Sequence, residues 1–195
     1  TAGEESCNGI VGVAAGVDLE DIGVGLQCSA AESDSVAYEL PAFGDVKVKF
    51  MTLESVEGSG DGTPKTNYVY VDYAKGPLAA GVNFTKKDGV STRTRATLKY
   101  DLGVAKLGLG YSTGLVAAGA KNNQMVLGAQ FPMGATTFSV GYASVDTGAA
   151  TNKTATGVGA DYALSKRTSV QARYTKGNAS ATNDRDISVK LLHTF

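Results

Sequence analysis

From Ser35 onward, apolar and polar residues alternate with a period of two, the pattern of strands that bury one face. The stretch Arg93-Thr94-Arg95-Ala96-Thr97-Leu98-Lys99-Tyr100 is the clearest case. Arg93, Arg95, Thr97 and Lys99 fall on one side, and Thr94, Ala96, Leu98 and Tyr100 on the other. A helix, with its period of 3.6, would mix the two sets. The same alternation predicts strands near residues 35–40, 46–54, 66–74, 78–86, 104–112, 122–131, 136–145, 156–163, 168–176 and 187–195. Residues 9–17 and 22–30 read as a hairpin around Asp18–Asp21. Short connections at Phe43–Asp45, Lys75–Pro77, Asp101–Gly103, Pro132–Gly134 and Ser165–Arg167 alternate with longer polar ones. Short turn, long loop, short turn describes an up-and-down antiparallel meander with two unlike ends. No segment asks for a helix and no domain boundary is visible, so residues 1–195 read as one all-β domain.

A soluble sandwich also alternates, so the charge census matters more. The more apolar faces of ten strands hold 35 residues, and none is Asp, Glu, Lys or Arg. At 19% charged residues, about seven would be expected by chance. The middles of these faces are Ala, Val, Leu and Met, while aromatics collect at the ends. Tyr38, Tyr73, Tyr100, Phe131, Tyr162 and Phe195 precede short turns or the last position, and Phe50, Phe84, Tyr111, Tyr142 and Tyr174 approach longer loops. Two aromatic belts around an outward apolar band are what a transmembrane β-barrel requires. The rival reading is aromatic filling of a soluble sandwich.

The opposite face would line the barrel interior. It carries Lys47, Lys49, Arg93, Arg95, Lys99, Lys106, Arg173 and Lys190 against Glu39, Asp72 and Asp161, so basic groups outnumber acidic ones. Gly81, Gly108, Gly110, Gly128, Gly141, Gly157 and Gly159 share that face and leave room for water or for crossing side chains.

Composition removes other classes. With 18 Lys+Arg against 19 Asp+Glu, the chain lacks the basic excess of a nucleic-acid binder. Its single histidine, His193, falls on the outward face of the last strand, where an interfacial role suits it better than catalysis. Gly108-Leu109-Gly110 and Gly157-Val158-Gly159 precede no helix and so are not phosphate loops. The Gly58–Thr63 loop holds one carboxylate, too few for calcium. No catalytic set, cofactor or metal is expected. Cys7 and Cys28 flank the first hairpin, and in an oxidising compartment they are expected to form one structural disulfide.

The segment Gly159-Ala160-Asp161-Tyr162-Ala163-Leu164-Ser165-Lys166-Arg167-Thr168-Ser169-Val170 and the ending Val189-Lys190-Leu191-Leu192-His193-Thr194-Phe195 resemble the last strands of the general porins of Gram-negative bacteria, beta-proteobacterial ones especially. Ser35–Gly44 and Tyr100–Leu107 are similar to earlier porin segments. The resemblance implies a trimeric, sixteen-stranded outer-membrane barrel set in a lipid bilayer with lipopolysaccharide. Such a barrel passes small solutes and ions, and its terminal Phe195 would act as an assembly signal. At ~9 to 11 residues per spanning strand, this chain has room for about 12 to 14 strands, as a smaller barrel or as part of a sixteen-stranded one. The expected function is a passive diffusion channel that prefers anions. The alternative is a plugged structural or adhesive barrel whose loops bind a partner.

Overall fold

The computed structural model describes residues 35–53, 65–114, 122–178 and 185–194. Among them the alternating segments form β1 (Ser35–Glu39), β2 (Val46–Leu53), β3 (Thr66–Lys75), β4 (Leu78–Lys87), β5 (Arg93–Asp101) and β6 (Lys106–Thr113). The series continues with β7 (Asn123–Met133), β8 (Thr136–Asp146), β9 (Lys153–Ala163), β10 (Thr168–Gly177) and β11 (Arg185–His193). No helix occurs among the described residues.

Every strand pairs antiparallel with its neighbours in sequence, giving one eleven-stranded sheet in the order β1 to β11. Short turns hold one rim together. Lys75 pairs with Leu78, which leaves only Gly76 and Pro77 to reverse the chain. Gly76 adopts φ of +55°, a conformation that costs glycine little, and Pro77 has no backbone N–H to lose. The odd-numbered strands run from the long-loop rim to the short-turn rim, so β1 and β11 point the same way.

The strand positions follow the alternation closely, with local shifts. β6 starts at Lys106 rather than near residue 104, because Leu102 N–H donates to the Ala105 carbonyl oxygen at 2.8 Å and draws Ala105 into the turn. β9 and β11 begin earlier than the pattern suggested, at Lys153 and Arg185. The expected hairpin at 9–17 and 22–30, the Cys7–Cys28 disulfide and Phe195 lie outside the described residues.

The two faces are inverted relative to a soluble sheet. The apolar face is the exposed one: Leu98 is 42%, Leu109 40%, Val158 53% and Tyr162 48% exposed. The face that carries the charged and small residues is the shaded one, with Ser112, Ser139, Ala143 and Thr175 buried. A soluble sheet would bury the first set and hydrate the second.

Candidate functional site

Strand register sorts the shaded face into rows. Nearest the long loops, Met51, Tyr68, Thr85 and Arg93 lie side by side across β2 to β5. The next row runs Lys49, Tyr70, Asn83, Arg95, Ser112 and Gln124. The third runs Lys47, Asp72, Gly81, Thr97, Gly110, Val126, Ala143 and Ala155. Toward the short turns, Lys99 opens a row of Gly108, Gly128, Gly141, Gly157 and Thr175. The sheet therefore has two inner walls. That of β2 to β5 is charged and aromatic, whereas the two middle rows of β6 to β9 carry only Gly, Ala and Val.

On the charged wall, alternation gives each side chain its face but not its depth. Arg93 and Arg95 are buried, at 8% and 5% exposure, while Lys47 is exposed and Lys49, Asp72 and Lys99 are half-buried. Tyr68 and Tyr70, two residues apart on β3, stack with ring centroids 6.0 Å apart and planes 10° from parallel. The Lys49 ammonium stands 5.9 Å from the Tyr70 ring centroid, within cation–π range. The Asn83 amide donates to the Val69 carbonyl at 3.5 Å, and its Oδ1 accepts from the Thr85 hydroxyl at 3.0 Å. The sequence reading does not assign Tyr68, Tyr70, Asn83 or Gln124 to this face. Their signal was present, since each stands at even spacing from a charged or polar residue already assigned to that face.

The remaining inward charges lie elsewhere. Lys106 pairs with Asp101 at 3.9 Å near the short turns. On β9 to β11, the Arg173 guanidinium lies 3.7 Å from Asp161 and donates to Gln171 Oε1 at 3.1 Å. Gln171 sits opposite both Asp161 and Lys190. Glu39 is opposite Lys49 on the edge strand β1 and is exposed. The structure thus brings Lys47, Lys49, Asp72, Arg93, Arg95 and Lys99 onto one wall. Asp161, Arg173 and Lys190 form a separate group several strands away.

On the outward face, Tyr100, Phe131 and Tyr162 are exposed near the short turns, and Tyr73 is half-buried there. Phe84, Tyr111 and Tyr174 are exposed toward the longer loops, with Tyr142 half-buried. Tyr38 departs from its expected belt. It pairs with Phe50, which sets it level with a long-loop aromatic, and the exposed Phe43 occupies the short turn instead. His193 Nδ1 lies 2.9 Å from the Thr168 hydroxyl across the β10–β11 pair, and it is exposed. Among the described residues, no three His, Cys, Asp or Glu side chains are grouped as a metal site would need.

A family model described as Gram-negative porin matches residues 3–182. Among solved structures, the chain is similar to a porin refined at 1.8 Å, with 16% identity and a TM-score of 0.69. That match covers 82% of this chain and 60% of the porin. An anion-selective porin from Comamonas acidovorans is 25% identical, with a TM-score of 0.59 over 82% of this chain and 54% of that one. A triple mutant of Rhodopseudomonas blastica porin is 18% identical, with a TM-score of 0.64 over 80% and 53%. The chain thus spans between half and three-fifths of the length of these porins. No curated protein sequence matches it.

Proposed function

The chain belongs to the Gram-negative porin family, and we propose that it supplies the wall of a passive diffusion channel for small hydrophilic solutes and ions in a bacterial outer membrane. The observation that carries this reading is the inverted burial. A continuous apolar band from Leu98 to Leu191 is exposed, and the charged residues are turned away from it. Monomeric soluble proteins rarely show contiguous apolar patches above a few hundred Å². In lipid the same band is the favourable one, and β2 to β10 each find hydrogen-bonding partner strands on both sides within the sheet.

In this reading Leu98, Leu107, Leu109, Leu127 and Val140 meet acyl chains, and the rim aromatics meet the interfaces, lipopolysaccharide among them. The assembly is a homotrimer, as the resemblance implies, and Phe195 is the assembly signal. Transport needs no covalent chemistry, only water, girth and field. Lys47, Lys49, Arg93, Arg95, Lys99, Lys106, Arg173 and Lys190 outnumber Glu39, Asp72 and Asp161, so the lumen prefers anions. Low-dielectric walls concentrate such a field. The named selectivity of the Comamonas porin is consistent with this choice.

The test is conductance in a planar bilayer, followed by a reversal potential under a KCl gradient. Ohmic steps with an anion-selective sign are expected, and the preference should fade as salt shortens the ~8 Å physiological Debye length. A cation-selective sign would overturn the charge assignment. A silent bilayer would favour the plugged barrel.

A further inference from the structure

The short-turn half of the charged wall borders a half-open cavity of about 490 Å³. Its rim includes Glu39 on β1, Lys47 on β2, Asp72 on β3, and Thr97 and Lys99 on β5, with Gly81 of β4 in its floor. Asp45 also borders it, but Lys75 holds that carboxylate at 3.1 Å. Lys47 and Lys99 bring two cations to the rim of this one small space, and Glu39 and Asp72 bring two anions. In the row above, positive charge predominates: Lys49 and Arg95 face only Glu39 at the sheet edge, and Arg93 adds another cation nearby. Among the described residues, Glu39, Lys47 and Lys99 take part in no ion pair, so charges of both signs stand without an internal counter-charge. Asp72 lies directly opposite Lys47 and shares the floor with Gly81.

Gly81 shapes the floor. A Cβ at this position would sit 2.7 Å from Asp72 Oδ1 and 2.9 Å from Thr97 Oγ1. The missing side chain is what lets both polar groups lean together there, and the Thr97 hydroxyl donates to the Gly81 carbonyl at 3.3 Å. A simple anion entering this space meets Glu39 and Asp72 at close range, and a simple cation meets Lys47 and Lys99. A neutral solute takes advantage of neither sign. A solute with a carboxylate at one end and an ammonium at the other is complementary to the whole rim. A volume of this size suits a molecule no larger than an amino acid or a short peptide.

We propose that this cavity is a subsite for small zwitterionic solutes, with the carboxylate toward Lys47 and Lys99 and the ammonium toward Glu39 and Asp72. The proposal rests on the channel reading and refines it: ions are sorted by the basic row, and zwitterions are held at the cradle below.

The experiment is equilibrium dialysis of the full chain, folded in detergent micelles, with radiolabelled γ-aminobutyrate. Butyrate, butylammonium and butyramide serve as probes matched in size, each lacking one or both charges. γ-Aminobutyrate should bind more tightly than all three. Lys99→Gln and Glu39→Gln should each weaken it about tenfold, the loss of one charge-assisted contact. Gly81→Ala keeps every charge but displaces Asp72 and Thr97, and it should weaken binding by a smaller factor. Butyrate binding as tightly as γ-aminobutyrate would overturn the proposal, as would binding indifferent to Lys99→Gln and Glu39→Gln. Bilayer conductance is read separately on the same preparation. Retained binding with a silent bilayer removes the channel reading and leaves the subsite standing. Normal conductance without zwitterion preference removes the subsite alone.

Discussion

The inner wall of β2 to β5 and that of β6 to β9 are built by the same pairing and carry the same kind of outward face, yet they share almost nothing inside. On the first, Lys47, Lys49, Tyr68, Tyr70, Asp72, Asn83, Arg93, Arg95 and Lys99 crowd four strands. On the second, the corresponding rows read Gly108, Gly128, Gly141 and Gly157, then Gly110, Val126, Ala143 and Ala155. Backbone hydrogen bonds and the outward apolar band hold both walls, and neither depends on what points inward. The inner face is therefore free to differ, and a chemical gradient across the lumen can be written there without disturbing the fold.

The sharpest way to break this comparison is to invert a face on the bare wall. Leu109→Arg places a charge on the exposed apolar band and should cost ~2 to 4 kcal/mol, the penalty of an arginine at the bilayer midplane. Gly108→Arg, one residue away and inward, should cost less than half as much. Urea unfolding in lipid vesicles compares them, and equal costs would mean that the two faces have been assigned the wrong way round.

The junction of the walls gives the next effect. Gly114 follows β6 with φ of +93°, and a Cβ there would collide with the Thr92 carbonyl oxygen just before β5. Gly114→Ala should cost about 1 to 3 kcal/mol of folding stability, because strain adds to the clash. Gly134→Ala, at φ of +63° with open space around it, should cost less in the same assay.

A third test moves charge and not stability. Lys49→Glu with Lys99→Glu on the charged wall should shift the reversal potential toward cations. The same two carboxylates at Gly128 and Ala143 should shift it too, since the field belongs to the lumen as a whole. If only the first pair acts, selectivity resides in the local row. The smallest effect is expected at Lys49→Met, which removes the contact with Tyr70 and should cost ~0.5 to 1 kcal/mol.

Much of this architecture was legible in the sequence because alternation is a local property. Arg95, Thr97 and Lys99 declared their shared face within five residues, and the register bears that assignment out across every pair. Depth was not legible. Arg95 is buried and Lys47 exposed, although both are basic residues on the same face, because depth depends on neighbours such as Tyr70, Asn83 and Gln124 that lie far away in sequence. Tyr68 and Tyr70 were passed over for a related reason. Aromatics at strand ends advertise a rim, whereas two aromatics facing inward look like any other half of an alternating pair. Tyr38 shows the limit of counting along the chain, since its level is set by Phe50 on the next strand and not by its distance from the turn. The zwitterion cradle could not be read at all, because Glu39, Asp72 and Lys99 belong to three strands that only register brings together.

The described residues form eleven strands, an odd number, and that parity governs sidedness. β1 and β11 run the same way, so direct pairing between them would be parallel, against the grain of every other pair in the sheet. Closure by antiparallel pairing alone takes an odd number of additional strands, whatever their source. The chain enters Ser35 at the long-loop rim and leaves His193 at the short-turn rim. In outer-membrane barrels the short turns face the periplasm. An epitope inserted just ahead of Ser35 should therefore be reached by antibody on intact cells, and one following Thr194 only after the outer membrane is opened.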